Sequence, residues 1–205
     1  AVFPPKELVF PHITGEILGF GSQVQRFDQW QKTHVQGLDK SWDFSIYGVV
    51  RFFQLAMENN PNMLDALFVP RRTILSITPA WEVVRENRRL FLHKGSWPKF
   101  KGYAYSQLAK IRAKNPQGKR VELVEKYGYD VKFAYHVVRL LLEVEQILVA
   151  RDIDLERDRE QLKAIRRGEW TLEQLEQWAQ DKEKALEALY HTSVVPYEPD
   201  EALIK

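Results

Sequence analysis

Lys132, His136, Arg139 and Glu143 recur at i, i+4, i+7 and i+11. That spacing sets four polar side chains in one stripe along an α-helix. Phe133, Val137, Leu140, Leu141, Val144 and Leu148 form an apolar stripe in the same stretch, so the polar residues flank a buried face. Cations in that position suit a cleft wall, where they can hold a triphosphate or an RNA phosphate. The plainer alternative is a solvated face with a glutamate near an arginine. Asp43 is the second candidate, in the alternating run Trp42-Asp43-Phe44-Ser45-Ile46-Tyr47. A carboxylate on a strand that feeds a helix can hold a metal ion or act as a base. Its plainer alternative is an aspartate at a strand edge, bound to water or an amide. If the helical stripe merely flanks the core, Arg139→Ala should weaken triphosphate binding about tenfold or more. Stability should then move by no more than about 0.5 kcal/mol, whereas Leu140→Ala should cost about 2–5 kcal/mol.

The elements that must position these residues follow from pattern. Residues 41–47 alternate as a strand, with Trp42, Phe44 and Ile46 on one side and Asp43, Ser45 and Tyr47 on the other. Residues 48–58 read as a helix with Val49, Phe52, Phe53 and Ala56 on one face. Asn60 is placed to cap a following helix with Pro61 in its first turn and Met63, Leu64 and Leu67 on its apolar side. Residues 73–77 (Thr-Ile-Leu-Ser-Ile) have strand composition. Further helices are expected from Thr78-Pro79, over 99–113, from Tyr129 to Val149 behind Asp130, over 158–167, and over 171–190 with a Thr171/Gln174 capping box. Residues 1–22, rich in Pro and Gly, read as irregular chain, residues 23–32 as a short helix or strand, and Asn115-Pro116-Gln117-Gly118 as a loop. The fold class expected is α+β: a small sheet with flanking helices in front, then a mostly helical C-terminal region, divided as 1–78 and 79–205.

Composition narrows the chemistry. The chain of 205 residues is 44% hydrophobic with six tryptophans, which suits a packed core. It has no cysteine, which excludes disulfides, zinc–thiolate sites and cysteine nucleophiles, and permits a reducing cytoplasm. No apolar run approaches the roughly 20 residues of a membrane span, and no secretory signal is visible. With 30 basic and 28 acidic residues the net charge is +2, so polyanion binding must be local. The richest stretch runs from Lys94 to Lys126, with Trp97, Phe100, Tyr103 and Tyr105 interleaved. His12, His34, His93 and His191 have no metal-site spacing.

Several blocks carry a resemblance. They are Asp43 to Leu55, Asn60-Pro61-Asn62-Met63-Leu64-Asp65, Gly102 to Leu108, Lys126-Tyr127-Gly128-Tyr129-Asp130 through Lys132, His136 and Arg139, and Ile165 to Thr171. From about Asp43 onward the chain resembles the predicted RNA-repair, RNA-ligase-associated nucleotidyltransferases of the DNA polymerase β superfamily, and it resembles them least over residues 1–40. The resemblance implies a nucleotidyltransferase-type sheet and transfer of a nucleotidyl group from a nucleoside triphosphate to an RNA or other hydroxyl, with Mg²⁺. It implies that Asp43 is the third carboxylate of the metal site, with Tyr47 at the strand-to-helix corner and Arg51 on the helix. Asn62 and Asp65 would orient substrate or Arg71/Arg72. Lys132, His136 and Arg139 would bind phosphates, and Tyr105 or Tyr47 would stack on a base. An RNA ligase is the implied partner and the cytoplasm the implied location.

One part of the family pattern has no good match: the Gly-Ser turn and the Asp-x-Asp pair. A rival alignment takes Gly21-Ser22 as the turn and Asp43/Ser45 as a degenerate pair, which supplies only one ligand. Two-metal transfer uses about three carboxylates, so this chain alone is expected not to turn over triphosphates. Either the pair lies upstream of Ala1 or the protein is a non-catalytic module that binds nucleotide, RNA or a protein partner.

Overall fold

The computed structural model describes residues 2–3, 29–37, 40–113, 118 and 120–204. The Gly21-Ser22 turn, residues 23–28 and the Asn115–Gln117 part of the expected loop lie outside the described residues. The architecture is α+β, with a small sheet and a mostly helical C-terminal region. The chain divides into two compact units, Ala1–Met57 and Glu58–Lys205, ahead of the 78/79 boundary expected from sequence.

In the first unit, strands β1 (Val2–Phe3), β2 (Gln29–Gln36) and β3 (Ser41–Gly48) form a sheet in the order β1-β3-β2. β1 runs parallel to β3, and β2 antiparallel. The β2–β3 turn closes with Gly37 N–H donating to Lys40 O at 2.9 Å. A Cβ at Gly37 would sit 2.8 Å from that same oxygen, so the turn needs glycine. Register slips between Lys32 and Val35, where His34 takes φ 55°. This bulge removes one amide from the ladder. Helix α1 (Val49–Met57) follows β3 directly and buries Phe52, Leu55 and Ala56. That face is rotated from the expected one, since Val49 and Phe53 are only half-buried.

In the second unit, α2 (Pro61–Phe68) starts as its sequence dictates. The Asn60 side chain accepts from Asn62 N–H at 3.1 Å, and Pro61 opens the first turn. α2 buries Met63, Leu64, Leu67 and Phe68. The strand expected over 73–77 is absent. A single 3₁₀ turn spans Arg71–Thr73, and Leu75 beyond it is fully exposed. Strand composition is stabilised only by a partner strand, and Thr73 Oγ1 donates instead to Pro70 O at 2.8 Å, closing the turn. α3 (Pro79–Glu86) is capped by Thr78.

A 3₁₀ turn spans Arg88–Phe91, and the further α-helices among the described residues are α4 (Ser96–Arg112), α5 (Arg120–Tyr127), α6 (Val131–Ala150), α7 (Arg159–Arg166), α8 (Leu172–Thr192) and α9 (Glu201–Ile204). Asp130 caps α6, accepting from Lys132 N–H at 2.9 Å and Phe133 N–H at 3.2 Å. Thr171 and Gln174 close the expected capping box on α8. α6 is the spine of the unit, packing against α4, α5, α7 and α8. Val137, Leu141, Val144, Ile147 and Leu148 of α6 share the core with Phe100, Leu108, Ile165, Leu175 and Leu186.

Candidate functional site

A helix packed on several sides keeps no clean solvent face, and α6 uses this for its polar stripe. Lys132, His136, Arg139 and Glu143 fall within about 60° of one another around the helix axis. Lys132 is exposed and His136 half-buried. Deeper along the stripe, the Arg139 side chain is 14% exposed and that of Glu143 only 5%. Arg139 Nη1 donates to Glu143 Oε1 at 3.1 Å and also engages Asp65 Oδ2 from α2. The sequence expectation that Arg139 merely flanks the core is therefore corrected. A single apolar stripe implied one covered face, whereas packing from several helices carries the burial round to Arg139 and Glu143. The neighbouring expectation for Asp65 also changes. Asp65 holds Arg139, while Arg71 pairs with Glu82 and Arg72 with Glu156.

One guanidinium thus serves two carboxyl groups. Burial raises the Asp65 carboxyl above its ordinary value, against the opposing pull of Arg139. Burial also raises Glu143, and the nearby Asp65 charge adds to the rise, again against Arg139. The physical cause is common to both: one cation cannot fully compensate two carboxylates in a poorly solvated site. Asp65 Oδ1 and Arg139 Nε remain buried without a hydrogen-bond partner.

His136 lies at the other end of the stripe, among cations from three helices. Lys132 and Arg139 approach from α6 itself, Arg166 from α7 and Arg120 from α5. Phe133 and Tyr135 project on opposite sides of His136. The Arg120 guanidinium sits 4.0 Å from the Phe133 ring centre, and that of Arg166 5.7 Å from the Tyr135 ring centre. Burial and then these cations lower the imidazole to about 4, so the ring is neutral at neutral pH. Arg120 also meets Asp130 at 3.4 Å. Neither Lys132 nor Arg166 has a carboxylate partner among the described residues. Arg120 and Arg166 were not singled out from sequence for this site. Arg166 does stand in the Ile165–Thr171 block and Arg120 in the basic stretch, so the signal was composition without placement.

The other expected residues stand elsewhere. Asp43 is exposed on β3 in the first unit, and its Oδ1 accepts from His34 N–H at 2.8 Å. It thereby satisfies the amide that the bulge excludes from the ladder, which is the strand-edge role weighed from sequence. Tyr47 ends the same strand and Arg51 lies on α1, both half-buried. Asn62 is exposed in the first turn of α2. Tyr105 lines a cavity of about 210 Å³ between α4 and α8, with Trp97, Lys101, Arg112 and Glu176. Its hydroxyl donates to Glu183, which Lys101 also meets at 2.7 Å. No group of three or more His, Asp or Glu side chains is arranged to hold a metal ion among the described residues. Asp43 alone does not make a Mg²⁺ site. No helix among them is long and apolar enough to cross a membrane.

No curated protein and no solved structure matches the chain. The model of the RNA repair pathway DNA polymerase beta family matches residues 21–201. With the helical spine and its cationic stripe inside that span, the chain belongs to the RNA repair pathway DNA polymerase beta family.

Proposed function

We propose that this protein is a nucleotidyltransferase of RNA repair, moving a nucleotidyl group from a nucleoside triphosphate to an RNA hydroxyl in the cytoplasm, alongside an RNA ligase. The observation that carries the reading is the placement of Arg120 over the Phe133 ring and of Arg166 near the Tyr135 ring, on either side of the helix that carries Lys132, His136 and Arg139, in a chain of this family. Phosphoryl-type transfer relies on positioning and on neutralising phosphate charge. Lys132 and Arg166 supply that charge directly. Arg139, held by Asp65 and Glu143, adds its field from behind. His136, neutral, offers a ring nitrogen to a phosphate oxygen. Asn62 and Tyr105 are secondary substrate contacts within the second unit, and Asp43, Tyr47 and Arg51 are candidate contacts within the first unit by itself. The Mg²⁺ of such chemistry would need acids besides Asp43, so no step is assigned to it.

The test has two arms. Titration with a nucleoside triphosphate should show binding by the 205-residue chain, weakened about tenfold or more in a Lys132→Ala/Arg166→Ala variant, since charged hydrogen bonds are worth about 1.5–3 kcal/mol each. Unchanged binding in that variant would overturn the phosphate role. The second arm follows an α-labelled triphosphate into RNA with Mg²⁺, and transfer is expected only when further acids complete the metal site. The acid count of the described residues favours a second reading, a non-catalytic module that binds nucleotide, RNA or a protein. Triphosphate binding without labelled RNA, once acids are supplied, would select it.

A further inference from the structure

The cationic cluster has a charge count that bears on what it holds. Arg139 is compensated by Asp65 and Glu143. Arg120 is partly compensated by Asp130 and rests on the Phe133 ring. Two charges, Lys132 and Arg166, have no carboxylate among the described residues. Lys132 stands one turn before His136 on α6, while Arg166 of α7 lies 5.7 Å from the Tyr135 ring, which itself meets the His136 ring at 5.3 Å, so no single helix explains their placement. Like charges gathered round a half-buried group cost folding free energy, and among the described residues the ring contacts of Arg120 and Arg166 and the Arg120–Asp130 pair offset only part of it.

We propose that Lys132, His136 and Arg166 form a seat for a phosphate dianion, the terminal phosphate of a triphosphate or a phosphomonoester at an RNA end, in preference to an internal phosphodiester. The inference rests on the phosphate reading above and narrows it. An internal phosphodiester carries one charge and leaves one of the two cations uncompensated. A terminal phosphate carries about −1.5 to −2 at neutral pH and presents three acceptor oxygens, which matches two cations and a ring nitrogen. Arrival of the dianion also reverses the local field. Burial first, and then the charges of Arg139, Lys132, Arg166 and Arg120, hold the imidazole neutral; an anion among them offsets the cationic part, so that His136 takes up a proton and becomes a third donor. Asp65 of α2 and Glu143 face Arg139, and Asp130 faces Arg120, so these three carboxylates are already engaged by other cations.

The experiment is calorimetric titration of the 205-residue chain with four ligands: a nucleoside triphosphate, inorganic phosphate, and one short RNA with either a terminal phosphate or only hydroxyl ends. Each titration is run at pH 7 in two buffers of different protonation enthalpy. The phosphate-ended RNA should bind about tenfold or more tightly than the hydroxyl-ended one, the scale of one charged hydrogen bond. Arg166→Gln should erase that preference. Proton uptake on binding should be present in the wild type and lost in His136→Asn. The phosphate itself titrates near pH 6, so the difference between the two proteins is the quantity read. Melting curves of both variants confirm that they fold. Equal affinity for the two RNAs, with triphosphate bound, would overturn the end preference and leave the phosphate role standing. Failure of every phosphate ligand would overturn both.

Discussion

Removing the Arg139 guanidinium tests the reversal that packing imposes on the stripe. In Arg139→Ala, Asp65 and Glu143 lose the cation they share. Breaking a buried ion pair by deleting one partner costs about 3–5 kcal/mol, while exposed pairs are worth about 0–1 kcal/mol. The Asp65 side chain is 28% exposed, so water reaches one of the two stranded groups, and the loss should fall near 2–4 kcal/mol. At roughly 2–4 °C per kcal/mol for a chain of this size, the melting temperature drops by about 5–15 °C. The loss should depend on pH. Both carboxyl groups are already raised by burial, and without Arg139 they rise further. As pH falls from 8 they take up protons progressively and the stranded charge diminishes, so the variant should lie closer to wild type at pH 5 than at pH 8. Combining Arg139→Met with Asp65→Asn and Glu143→Gln should recover much of the loss, because no charge is left unpaired. The assay is thermal unfolding at both pH values, with exposed Lys132→Ala as the control. An Arg139→Ala protein melting within about 1 °C of wild type at pH 8 would refute the argument. So would a shift of equal size at pH 5.

The bulge role of Asp43 predicts that Asp43→Asn preserves the His34 N–H bond while Asp43→Ala loses it. His34 amide exchange should quicken about fivefold in the alanine variant alone, from a net bond worth about 1 kcal/mol. Gly168 sits at φ 74° with a would-be Cβ 2.1 Å from the Tyr127 ring, whereas Gly128 at φ 79° faces open space. Gly168→Ala should therefore destabilise well beyond the roughly 1–2 kcal/mol of backbone strain expected for Gly128→Ala, and equal losses would show that the ring gives way. For His136, a folded-state value of about 4 against an ordinary 6.5 means the unfolded chain binds the extra proton. Its contribution to stability is present above about pH 6.5 and is lost as pH falls towards 4. His136→Asn should flatten that part of the stability–pH curve relative to wild type, and an unchanged slope would count against the buried neutral imidazole.

Much of this was readable from residue order because the signals were local. Asn60-Pro61, Thr78-Pro79, Asp130 and the Thr171/Gln174 pair each act within one turn of their own helix, and each caps where expected. The stretch 73–77 failed for the complementary reason: a strand is a property of two segments, and its residues found no partner. The acceptor role of Asp43 could not be placed from sequence because it answers a bulge nine residues earlier, and nothing in Gln31 to Val35 announces a bulge. The α6 stripe was legible as a stripe, yet periodicity could not say how many sides of the helix are covered. That unknown decides the chemistry. With one side covered, Arg139 would be a free cation. With several covered, it becomes the internal partner of Asp65 and Glu143, and the cations without a carboxylate among the described residues include Lys132 and Arg166, which is distant in sequence. The two ends of the stripe therefore answer to different pressures. At Arg139 a buried charge is matched within the fold and its removal should cost stability. At His136 the cations outnumber the acids that meet them among the described residues, with Asp130 engaging Arg120 alone. Like charges held together against their own repulsion would find their counterpart in the phosphate proposed for them, and titration with phosphate-ended and hydroxyl-ended RNA reads that match directly.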